Sequence, residues 1–161
     1  ALASFHGDTN GLLTVPMLAK VVEHLPTEAL LFGMDANTYE RESNSTAHVL
    51  AFEQVYQGHG LKACWGQVDP KQYTTFNART YLQPQLNKAA KSTELAAKGD
   101  RNPKDFVLFT KHFTRGRVWR DNTGSGEYVD DMVFPTLDFP SDHAAVAVDL
   151  LLLEAGGKVE L

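Results

Sequence analysis

Apolar and polar positions alternate at two periods along this chain, and the change of period outlines the fold. Ala1-Leu2-Ala3-Ser4-Phe5 reads as a short buried strand that delivers His6 and Gly7 at its end. Asp8-Thr9-Asn10-Gly11 is turn chemistry. Thr14 can cap a helix with Pro16 in its first turn. Leu18, Val21, Val22 and Leu25 then keep the spacing of a core-facing helical stripe, and Pro26 stops it. Ala29 to Met34 is almost wholly apolar, which predicts a central strand covered on both faces, ending in Asp35-Ala36-Asn37. A second helix is expected over Thr46 to Tyr56, capped from Ser43 to Ser45, with Gly58 and Gly60 marking its end.

Residues 61 to 83 read as loop and short strand around Tyr73-Thr74-Thr75-Phe76. Pro84 opens a third, alanine-rich helix to Lys98 with a thin apolar stripe. The last third switches to strands: Phe106 to Phe109, Arg117 to Arg120, Met132 to Phe134 and Ala144 to Leu153, with Gly124-Ser125-Gly126 as a turn. Early alternation followed by strands predicts a layered α/β fold with a mixed, largely antiparallel sheet and helices on one face.

Composition narrows this picture. The chain has 161 residues, 43% hydrophobic and 22% charged, the profile of one globular domain over residues 1–161. No apolar run approaches the about 20 residues of a membrane span. The single cysteine, Cys64, excludes an internal disulfide and points to a reducing, intracellular and cytoplasmic setting. A net charge of -5 gives no general attraction to nucleic acid. Lys88, Lys91, Lys98, Arg101 and Lys104 form a local basic run that reads as a solvated helix face. The start at Ala1 suggests a piece of something longer.

Chemistry gathers where the strands end: His6, Asp35 with Asn37, Asp105, and Asp142 with His143. Taken singly, each has a plain structural reading, as a turn residue, a strand cap or a hydrogen-bonded core histidine. Taken together, they form a pattern. The Ser141-Asp142-His143 triplet before an apolar strand, Asp35-Ala36-Asn37 after one, the strand ending in His6, Tyr73-Thr74-Thr75-Phe76-Asn77, and Asp105-Phe106-Val107 stand in register. In this the chain resembles the C-terminal half of the endonuclease/exonuclease/phosphatase superfamily, across nearly its whole length.

The resemblance implies half of a four-layer, deoxyribonuclease-I-like sandwich and hydrolysis of a phosphate ester, with this chain as the C-terminal part of the catalytic domain. Asp142 would help hold a divalent metal, magnesium or else manganese, which favours oxygen ligands. His143 would act as general acid or base, with Asp105 fixing its tautomer. Asp35 would orient or deprotonate the attacking water, and the sequence leaves open whether it or His143 takes the proton. Asn37 would hold the phosphoryl group or that water, and His6 would donate to a phosphate oxygen. Asn77 and Arg79 are candidates for substrate contact.

Three positions depart from the family pattern: Met34 precedes Asp35 where glycine is usual, Ala145 stands where proline is frequent, and Lys104 replaces an apolar residue. The family's metal-binding Glu and an Asn come from earlier strands, which would lie upstream of Ala1. A bare inner sheet face would pair with that N-terminal segment or with a second copy. The substrate class extends to nucleic acid or a phospholipid headgroup. The competing reading is a binding or scaffold module that keeps the fold without turnover. His24, His48, His59 and His112 match no motif and read as surface or packing residues.

Overall fold

The computed structural model describes residues 1–25, 29–77 and 100–153. Strand β1 (Leu2–His6), helix α1 (Thr14–His24), strand β2 (Leu31–Asp35) and helix α2 (Val49–Gly58) come first. Strands β3 (Leu61–Ala63), β4 (Thr75–Asn77), β5 (Asp100–Asn102), β6 (Asp105–Thr110), β7 (Phe113–Asp121) and β8 (Ala145–Leu152) follow. The main sheet has the order β1-β2-β6-β3, with β1 parallel to β2 and β6 antiparallel to both of its neighbours. β4 with β5, and β7 with β8, form separate antiparallel pairs. The class is therefore α/β with a mixed, mostly antiparallel sheet, as the hydrophobic pattern predicts.

Both helices lie on one face of the main sheet, because their apolar stripes have one surface to cover. Leu18 of α1 and Val49, Phe52 and Tyr56 of α2 pack with Phe32 and Met34 of β2 and Phe106 and Leu108 of β6. The Phe52 ring meets Tyr56 and Phe106 edge-on, with centroids 5.5 and 5.3 Å away. Such ring pairs add about 0.5–1.5 kcal/mol each beyond the area they bury. The Phe52–Phe106 pair clamps α2 onto β6 one residue after Asp105. A second cluster of Phe76, Phe134 and Ala144, with Phe139 and Tyr128 against it, supports the turn that carries His143.

Several elements differ from the sequence expectation. β1 is an edge strand of the main sheet, and its Leu2 is 84% exposed rather than buried. β2 is covered on one face only: Phe32 and Met34 are buried while Leu31, Gly33 and Asp35 are half-buried. The apolar run hid this alternation because Gly33 contributes no side chain to the second face. Thr14 does not cap α1; Leu13 holds that place, and its N–H donates to Asp8 Oδ1 at 2.9 Å. The Thr14 hydroxyl instead donates to Ala36 O at 3.0 Å, a tertiary bond that ties α1 to the end of β2.

Helix α2 begins at Val49, not Thr46, because Ser43 pairs with Thr46 in an isolated bridge and its hydroxyl bonds that of Ser45. Met132 to Phe134 form no strand. Phe134 is an anchor in the second cluster, fully buried, with its N–H on Phe76 O at 3.1 Å. β7 is longer than expected and carries an irregularity between Arg115 and Val118, where Gly116 lies close against Asp149. The expected helix from Pro84 to Lys98 falls outside the described residues. Among the described residues, no helix is long and apolar enough to cross a membrane.

Two outcomes follow from this packing. Gly11 holds φ +70°, and a Cβ there would lie 2.5 Å from Asn37 O and 2.9 Å from Ala36 O. Gly11→Ala is therefore expected to destabilise the fold by about 1–3 kcal/mol, measured as a lowered urea midpoint. Cys64 is fully buried, and burial pushes its thiol up to about 11. Iodoacetamide should alkylate it far more slowly in the folded protein than in urea, and equal rates would contradict the packing.

Candidate active site

Three adjacent strand ends build the site. β1 and β2 run parallel and finish together, while β6 runs the other way and begins at the same rim. The register pairs His6 with Asp35 and Asp35 with Asp105, so an imidazole and two carboxylates stand in a row. His143 arrives from the turn before β8, which is pinned by the Ala144 N–H on Thr74 O at 2.8 Å. Thr74, fully buried, is the hub of this corner. Its hydroxyl accepts the backbone N–H groups of Lys104 at 2.9 Å and Asp105 at 3.0 Å. The Trp65 indole N–H holds the Asp105 carbonyl at 3.0 Å.

The central contact is a dyad. His143 Nδ1 lies 3.0 Å from Asp105 Oδ1 and 2.9 Å from Oδ2. With that nitrogen donating to the carboxylate, Nε2 faces outward, 3.9 Å from Asp35 Oδ2. His6 Nε2 lies 3.6 Å from the same oxygen, on a side chain that is 80% exposed, and His6 Nδ1 is bonded to Gly7 O. Asp35 Oδ2 thus sits between two imidazole nitrogens. Neither separation is a hydrogen bond, and one oxygen atom of a ligand could touch all three groups.

Asn37 completes the Asp35 environment. Its backbone N–H donates to Asp35 Oδ1 at 2.7 Å and its side-chain amide to Oδ2 at 3.1 Å. The second amide hydrogen serves Gly7 O at 3.0 Å, and the amide oxygen accepts from Lys104 Nζ at 2.9 Å. The backbone turns back at φ +49°, a left-handed conformation that asparagine adopts more readily than most residues.

Charge is tuned accordingly. Burial, then the adjacent Asp105 charge, push the Asp35 carboxyl above the usual range, against the pull of the Asn37 N–H, His143 and Lys104. Burial alone would lower the His143 imidazole. The hydrogen bond and charge of Asp105, with the charges of Asp35 and Asp142, outweigh it and raise the imidazole. Asp35, Asp105 and His143 each offer a ligand atom, all within 4.8 Å of one another, and could hold a metal ion. An open cleft of about 490 Å³ borders the site, lined by Ser4, His6, Gly33, Asp35, Val107 and Val146 among others. On its floor, Gly33 has nothing within 4 Å of the position a Cβ would take.

The structure brings His6, Asp35, Asn37, Asp105 and His143 to one rim, with Asp142 half-exposed beside His143. Asn77 ends β4, where only its backbone pairing with Asp100 is described. Arg79 lies outside the described residues. Lys104 and Thr74 are the site groups that sequence reasoning did not assign. Lys104 was legible only as a charge in an apolar position, and Thr74 only as part of the Tyr73 to Asn77 segment, with no role of its own.

Compared with family models, the sequence matches none, and it matches no curated protein. Among solved structures, the chain is similar to an endonuclease/exonuclease/phosphatase from Beutenbergia cavernae, at 20% identity and a TM-score of 0.48 over 84% of this chain. It is also similar to a mannosyl-6-phosphatase from Bacteroides thetaiotaomicron, at 14% identity and a TM-score of 0.44 over 92% of this chain. This chain spans 30% of the first of those structures and 50% of the second.

Proposed function

We propose that this chain carries the C-terminal part of the active site of a metal-dependent phosphoesterase. The observation that supports this reading above all is the Asp105–His143 dyad facing Asp35 across 3.9 Å at the mouth of an open cleft. Phosphoryl transfer depends on positioning and charge neutralisation, and these groups serve both. Asp35, with its proton affinity raised by burial, takes the proton of the attacking water. His143, its proton affinity raised by Asp105, donates from Nε2 to a phosphoryl oxygen. His6 donates to a second phosphoryl oxygen from its exposed position. The bond from phosphorus to the ester oxygen breaks as the water oxygen bonds to phosphorus, and the departing oxygen is reprotonated from solvent in the open cleft.

Asn37 has both amide hydrogens engaged by Asp35 and Gly7, so its work is to hold the carboxylate rather than the substrate. The donor chemistry fits a hard divalent cation, since carboxylates crowd the rim and the only cysteine is sealed in the core. Asp142 is the residue assigned to magnesium, with further oxygens from water, substrate and an upstream segment. Bound there, magnesium would neutralise phosphoryl charge.

The test uses the parent protein with its upstream segment and bis(p-nitrophenyl) phosphate as substrate. Turnover is expected to need Mg²⁺ and to vanish with EDTA. His143→Ala and Asp142→Ala should each lower kcat by about 10²–10⁴-fold while thermal unfolding stays cooperative. Turnover that survives both substitutions sinks the reading, and a parent protein inert with Mg²⁺ and Mn²⁺ favours a binding module.

A further inference from the structure

Lys104 is a charged side chain with a fixed root and a fixed target. Its backbone N–H is held by Thr74 Oγ1 at 2.9 Å, and its carbonyl accepts the Ala36 N–H at 2.7 Å. The side chain therefore starts beside the Asp35-Ala36-Asn37 turn and cannot drift along the sheet. It crosses the Tyr39 ring with Nζ 5.2 Å from the centroid, and that ring is itself anchored by its hydroxyl on Thr9 O at 2.8 Å. Nζ then reaches Asn37 Oδ1 at 2.9 Å.

An asparagine amide has two orientations that look alike in shape and opposite in charge. In the one observed here, Oδ1 meets the ammonium of Lys104, and the NH₂ group meets Asp35 Oδ2 and Gly7 O. Flipped, the amide would set its donors against the ammonium and its oxygen against a carboxylate and a carbonyl. All three contacts would become repulsive together. Asn37 is only 5% exposed, so water could not relieve them.

We propose that Lys104 is a positioning residue that locks the Asn37 amide in one orientation and through it fixes the Asp35 carboxylate. An apolar residue at this place would leave Asn37 Oδ1 without its charged partner and remove the strongest of the three contacts that oppose a flip. The role in turnover rests on the phosphoesterase reading, whereas the orientation of the amide does not.

The decisive measurement is the side-chain NH₂ pair of Asn37 by ¹⁵N NMR. In the unsubstituted protein both hydrogens should exchange with solvent much more slowly than those of an exposed asparagine. Exchange at the rate of an exposed amide would overturn the proposal without any variant. Lys104→Met should speed that exchange and shift the pair, and Lys104→Arg, which keeps a charged donor, should restore most of the protection. In the bis(p-nitrophenyl) phosphate assay, Lys104→Met should lower kcat by about 10- to 100-fold with KM nearly unchanged. An unchanged NH₂ pair in a folded Lys104→Met variant, or a loss confined to KM, refutes the lock. If the unsubstituted protein shows no turnover, the phosphoesterase reading fails and the NMR comparison still decides the role of Lys104.

Discussion

Two carboxylates face each other across the β2–β6 pair, and the rest of the site is arranged around their repulsion. Asp35 and Asp105 are register partners, so the sheet itself forces them together. Burial, then the Asp105 charge, raise the proton affinity of Asp35. Here each acid has a distinct counterweight. Asp105 is bonded on both oxygens to the His143 imidazole, while Asp35 is wrapped by Asn37 and faces two imidazoles. Asp105 thereby stays committed to orienting the His143 imidazole, and Asp35 keeps an oxygen toward the open cleft. A single pairing in the sheet thus sets two chemically identical groups in two environments.

This arrangement depends on scaffolding from both hydrophobic clusters. The ring contacts of Phe52 and Tyr56 with Phe106 hold β6 firmly at the residue after Asp105. On the other side, Phe134 and Phe139 pack edge-to-face with centroids 6.1 Å apart beneath the turn that leads to His143. Thr74 joins the two halves by bonding the start of β6 through its hydroxyl and the start of β8 through its carbonyl. The dyad distance is therefore set by packing on two sides and a hydroxyl between them.

Much of this is legible in the sequence, for identifiable reasons. Helix α1 and strand β6 announce themselves because apolar residues must follow the period of the element that buries them, whereas β2 and β8 are legible as apolar runs, and no residue of β8 is buried. The site groups stand at strand ends, where the apolar pattern breaks into acids and histidines, so they are visible as interruptions. Element starts are less legible when tertiary bonds claim the capping residue: Thr14 is drawn to Ala36 and Ser43 to its own loop. Which face of a strand is covered depends on what lies opposite, and Gly33 conceals that in β2. Lys104 shows its meaning only when Asn37, 67 residues earlier, is brought to its tip.

Gly33 has a further consequence. It lies mid-strand, two residues before Asp35, and space is open above its backbone. The depth of the groove is therefore decoupled from the machinery at its end. Side chains of increasing bulk at that one position would raise the floor in graded steps. What the groove admits would change there while His6, Asp35, Asp105 and His143 stay in place.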